Sequence, residues 1–110
     1  MMAAVTHRVA EERSLALHRG VARRLRKDPE VLERARRRVQ RWLADGSVPQ
    51  RRAVRWAEIL AGTVEEVAGV ITDTGQEARD LRQVSPFAGA LDARERWAIL
   101  RQLHDEAPAR

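Results

Sequence analysis

The chain has 110 residues and a net charge of +5, and it contains no cysteine, which excludes disulfides, thiolate metal sites and a cysteine nucleophile in one step. That length suits one modest domain. With one Phe, three Trp and no Tyr, a core has to be built mostly from Leu, Val, Ala and the tryptophans.

No stretch approaches the ~20 apolar residues of a membrane span, and the N-terminus lacks the apolar segment of a signal peptide, so the cytoplasm is the expected compartment. Charge is unevenly spread. Residues 1–56 hold 15 Lys/Arg against 6 Asp/Glu, whereas residues 57–110 hold 6 against 10. A basic half can attract phosphates or an acidic protein, and an acidic half a basic partner. Solvated helix faces account for part of the same pattern.

Apolar spacing predicts a first helix from about Thr6 to Lys27, with Val9, Leu17, Val21 and Leu25 along one stripe and a break conceivable at Gly20. Asp28-Pro29-Glu30 supplies a cap, a proline in the first turn and an early acid, so a second helix starts there. It buries Val31, Leu32, Ala35, Val39, Trp42 and Leu43 and ends at Asp45-Gly46. Ser47-Val48-Pro49 opens a third helix to about Ala61, with Ala53, Trp56, Ile59 and Leu60 inward and Gly62 as its stop. Thr63-Val64-Glu65-Glu66 is a capping box for a fourth helix, which carries Val64, Val67, Val70 and Ile71 to about Asp73. Thr74-Gly75-Gln76-Glu77 reads as another, for a short fifth helix to about Gln83. Asp92-Ala93-Arg94-Glu95 opens a sixth, with Trp97, Leu100 and Leu103 facing one way.

No strand-like alternation and no repeat is visible. The expectation is an all-α single domain of five to six short helices over residues 1–110, with flexible ends at 1–7 and 105–110. Within it, residues 13–45 form a basic helical hairpin, and residues 47–104 a helical region interrupted by a Pro/Phe/Gly loop at 85–91.

The chain carries no recognisable catalytic constellation. His7, His18 and His104 stand apart without metal-ligand spacing and read as surface residues. Ser14, Ser47 and Ser85 lack a nucleophile-elbow context, and there is no phosphate-binding glycine loop. Glu65 and Glu66 sit where a helix N-terminus favours negative charge anyway. No enzyme activity, cofactor or metal is expected.

Two surfaces are candidates for binding. Helices 54–61 and 63–72 around Gly62 mimic a helix-turn-helix, but the second offers Glu65 and Glu66 and no base, the wrong sign for a DNA groove. The better nucleic-acid candidate is the Arg-rich second helix, with Arg34, Arg37, Arg38 and Arg41 on phosphates, alongside Arg36 and extended by Arg23, Arg24, Arg26, Arg51 and Arg52. An arginine bias in the coding genome explains the same residues equally well.

The other candidate is Ser85-Pro86-Phe87-Ala88-Gly89-Ala90-Leu91. Pro86 stiffens this loop, and Phe87 and Leu91 next to Trp97 suit a cluster that fills a partner's pocket. Equally open is that Phe87 folds back onto Leu81 and Trp97 and plugs the chain's own core.

Three stretches carry a resemblance: Arg13-Ser14-Leu15-Ala16-Leu17-His18-Arg19, then Asp28-Pro29 with Arg41-Trp42-Leu43 and Gly46-Ser47, then Leu81-Arg82-Gln83-Val84-Ser85-Pro86-Phe87-Ala88-Gly89-Ala90-Leu91 with Arg94-Glu95-Arg96-Trp97. Together, over about residues 13–103, the chain resembles small bacterial proteins on the antitoxin side of two-gene toxin–antitoxin modules. The resemblance implies a non-enzymatic protein that binds and neutralises a co-encoded toxin by occlusion. The partner-binding residues expected on this reading are Ser85, Pro86, Phe87, Leu91, Arg94, Arg96 and Trp97. A nucleic-acid-binding transcriptional regulator is the alternative.

Overall fold

The computed structural model describes residues 2–106, with side chains from His7 onward. Six helices follow one another in it: α1 (Met2–Lys27), α2 (Glu30–Asp45), α3 (Gln50–Leu60), α4 (Val64–Ile71), α5 (Gln76–Arg82) and α6 (Ala93–Glu106). The described residues contain no strand, as an all-α domain requires. Of the two ends expected to be flexible, residue 1 and residues 107–110 lie outside the described residues; the backbone of 2–7 and 105–106 is helical.

α1 is the spine. At 1.5 Å per residue its 26 residues span roughly 39 Å, most of the molecule's 46 Å long axis. α2 packs on α3, Arg36 of α2 reaching the end of α3 at Leu60, while α1 packs most extensively on α4 and also on α6, α5 and α2. The core runs through Leu25, Val31, Ala35, Val39, Trp56, Leu60, Val67 and Ile71.

Gly20 does not break α1. It is a buried notch: a Cβ built there would lie 2.5 Å from Ile99 Cδ1 and 3.3 Å from Leu91 Cδ1, so the bare glycine lets α6 and the loop before it approach the spine. The helix-propensity cost is offset by that packing. Val9, at the outer end of the expected stripe, is exposed.

Four of the local end signals are formed; α3 starts at Pro49 with no side-chain cap and ends without a left-handed glycine at Gly62, and one expected capping box is absent. Asp28 Oδ1 accepts the Glu30 amide at 3.1 Å, and Gly46 closes α2 with φ 69°. Thr63 and Glu66 exchange both hydrogen bonds of a capping box, as do Asp92 and Glu95. Thr74, by contrast, caps nothing. Asp73 Oδ2 accepts the Gly75 amide at 2.8 Å instead, and α5 starts with no side-chain cap. Gly75 takes the N-cap position, so Thr74 stands one residue outside the helix, and the Glu77 carboxylate that a capping box would turn back toward Thr74 is held by Arg55 instead.

The charge asymmetry is partly resolved inside the molecule. Arg24–Glu95, Arg26–Glu65, Arg55–Glu77 and Arg79–Glu11 all join the basic half to the acidic half. Each pair is at least partly exposed, so it contributes little stability by itself but neutralises charge that the composition left available. The Arg26 guanidinium holds the Glu65 carboxyl below its ordinary range, and Arg55 does the same to Glu77.

Candidate functional site

The loop at 85–91 is fastened from three helices. Trp56 of α3 donates its indole N–H to the Val84 carbonyl at 2.7 Å. Arg38 of α2 donates to the Pro86 and Ala88 carbonyls at 3.3 and 2.9 Å. His18 of α1 meets Ser85 Oγ at 2.9 Å through Nε2, while its Nδ1 lies 2.7 Å from the Ser14 carbonyl.

These partners define the protons. A carbonyl only accepts, so Nδ1 carries the hydrogen in the neutral ring and Nε2 accepts from the Ser85 hydroxyl. Ser85 Oγ in turn accepts the Phe87 amide at 3.2 Å. Burial pushes the His18 pKa below its ordinary value, with the Ser14 carbonyl opposing that shift and the Arg82 charge adding to it. The expected surface histidine is therefore a buried tether, 8% exposed. The i to i+4 reach to Ser14 could be seen in the sequence; the Ser85 contact joins residues too distant in the chain to be seen.

Phe87 is 6% exposed and meets Trp56 edge to face, ring centroids 6.1 Å apart. Pro86 and Leu91 are buried too. Of the two readings left open, the loop plugs its own core. Its aromatic partner is Trp56 rather than the expected Trp97. The Ala90 amide bonds the Phe87 carbonyl at 3.0 Å across a turn in which Gly89 takes φ 82°. Pro86, Phe87 and Leu91 are thus withdrawn from the expected docking set, and Ser85 is half-buried in the His18 tether.

α6 leaves the rest of that set outside. Asp92 and Glu95 start the helix, and Glu95 also pairs with Arg24, which anchors its first turn to α1. The inward stripe is Ile99, Leu100 and Leu103, each only half-buried, and no residue of α6 is fully buried. Trp97 does not share the face of Leu100 and Leu103 as expected, because Ile99 rather than Trp97 enters the notch at Gly20. Trp97 is 66% exposed. Arg94 and Arg101, three residues before it and four after, share its outer face. Arg96 turns the other way and lines a groove with Phe87, Ser85 and His18.

On α2 the arginine cluster divides similarly. Arg36 donates to the Leu60 and Gly62 carbonyls and to Glu33, Arg37 pairs with Glu30, and Arg38 holds the loop. Of Arg34, Arg37, Arg38 and Arg41, only Arg34 and Arg41 are exposed and in no ion pair among the described residues; Arg23 and Arg51 of the extended set are exposed and unpaired there as well. The Arg36 and Arg38 guanidiniums act as caps on backbone carbonyls, a role invisible in a helix read by itself. α4 buries Val67, Ala68 and Ile71 and exposes Glu65 and Glu66, the opposite of a recognition helix.

A further interior arginine escaped the sequence reading. Arg82, 7% exposed, donates to the Ile71 and Asp73 carbonyls at 3.2 and 2.7 Å and closes the end of α4. Among the described residues no three His, Asp or Glu side chains gather so as to hold a metal ion, and no helix is long and apolar enough to cross a membrane.

The fold and surface define a small all-α domain with a tethered internal loop and an exposed Trp/Arg helix face. No family model, curated protein or solved structure matches the chain.

Proposed function

We propose that the protein is a binding module of the antitoxin type, which captures a co-encoded toxin on the outer face of α6 and neutralises it by occlusion. The observation that carries this reading is the 66% exposure of Trp97 between Arg94 and Arg101. Trp and Arg are the residue types that dominate interface energies, and a large aromatic left in water by its own fold gains most from a partner's pocket. The site differs from the segment that sequence alone suggests: Phe87 and Leu91 build the platform, and Trp97 makes the contact. Arg94 and Arg101 favour an acidic rim on the partner.

The test is co-expression of the full chain with the product of the adjacent gene. The two products are expected to co-purify and the chain to rescue growth. Trp97→Ala and Arg94→Ala together are expected to abolish both effects while the helical signal and melting temperature stay unchanged. Capture and rescue that survive this pair would overturn the assignment. Capture lost instead on Arg34→Ala with Arg41→Ala, with a salt-dependent DNA shift lost alongside it, would favour the regulator.

A further inference from the structure

A groove of about 440 Å³ lies between α1, the 85–91 loop and α6, on the flank of α6 away from Trp97. Leu17, Val21, Phe87, Leu91 and Leu100 give it apolar walls, and Ala88 and Gly89 keep one side low. Its volume is in the range of ligand pockets, and its composition, mostly apolar with a few converging polar groups, is what such pockets share.

The polar groups select what can enter. His18 and Ser85 are committed to each other, and the Nδ1 hydrogen of His18 is committed to the Ser14 carbonyl. Neither has a donor left for a polar ligand body. The remaining polar lining residues are Arg13 and Ser14 from α1 and Arg96 from α6, whose side chains bond no partner among the described residues. Neither arginine is in an ion pair among the described residues. One arginine from each of two packed helices on the lining of a mostly apolar groove matches a ligand with one anionic head and an aliphatic tail.

We infer that this groove binds a small aliphatic carboxylate, its head paired with Arg13 and Arg96 and its tail laid over the half-buried Leu17 and Leu100, above a floor closed by Val21, Phe87 and Leu91. The site is separate from the Trp97 face and does not depend on the antitoxin reading. An uncharged polar ligand would find few partners here, and an amine would meet two like charges.

The probe is sodium octanoate below its micelle concentration, titrated into the full-length protein and followed by amide NMR. Saturable shifts are expected at Ser85, Phe87 and Ala88, with the Trp97 indole unmoved. Arg13→Gln and Arg96→Gln are each expected to weaken binding about fivefold, the scale of a partly screened ion pair, and the double variant to lose saturation. Both side chains are exposed, so the variants should keep the wild-type helical signal. Octylammonium, with the same tail and opposite charge, is expected to leave these amides in place. Equal shifts with octylammonium, unsaturable shifts with octanoate, or undiminished binding by the double variant would each overturn the assignment.

Discussion

Phe87 is 6% exposed and Trp97 66%, although both are large aromatics in one short segment that looks uniformly like a docking surface. The difference lies in what each can reach. Phe87 stands in a turn whose carbonyls and hydroxyl are held by Trp56, Arg38 and His18, and that scaffold aims the ring at Trp56. Trp97 stands on a helix already committed to α1 through Ile99, Leu100 and the Arg24–Glu95 pair. An apolar ring in a loop can thus be the better-buried one, and a ring on an amphipathic helix the free one, according to which stripe docks.

The largest expected effect that would test this contrast is Phe87→Ala, which should cost about 3–5 kcal/mol by transfer and cavity terms. That is a large share of the ~5–15 kcal/mol available to a domain of this size. Trp97→Ala should stay within about 0.5 kcal/mol, as a surface change does. Urea unfolding measures both. Comparable losses from the two substitutions would erase the distinction.

Next in size is Gly20→Leu, which overfills the notch that receives Ile99 and Leu91. About 1–3 kcal/mol is expected, the usual cost of overpacking, with faster amide exchange in α6 than in α2. Uniform exchange throughout would mean that α6 is not separately attached. Ser85→Ala removes a donor to His18 and an acceptor for the Phe87 amide, and is expected to cost about 1–3 kcal/mol. Restoring the hydroxyl with Thr should recover part of that loss, which thermal unfolding can follow.

The smallest effect is in pH. His18 has a folded-state pKa below its ordinary value of 6.5, so below that pH the unfolded chain binds the proton more readily than the folded one. Stability from this site is complete above about 6.5 and declines as pH falls toward the lowered value. Glu65, Glu66 and Glu77 are lowered as well, by Arg26, the Thr63 amide and Arg55 respectively, and their contributions are lost only further down, as pH falls from about 4.5 through their lowered values. Melting temperatures across pH should therefore fall in two stages, and His18→Gln should remove the upper one. Persistence of that upper stage in the variant would assign it elsewhere.

How much of this was legible depended on range. The caps at Asp28, Gly46, Thr63 and Asp92 act within a few residues, and each is formed where its sequence signature stands. Thr74 had the same signature, but the helix starts one residue later, with Gly75 at the N-cap and the Glu77 carboxylate held by Arg55 on another element. Arg36 and Arg38 looked like free phosphate ligands because nothing local reveals a carbonyl on another element. His18 looked exposed for the same reason.

By itself, then, the order of apolar residues and end signals determined that the chain is helical and where nearly every helix begins and stops, because those interactions close within one or two turns. The tertiary structure alone decided which arginines remain free, which histidine is buried and which aromatic faces water. Those outcomes depend on partners distant in the chain, and on Gly20 allowing Ile99 rather than Trp97 to meet the spine.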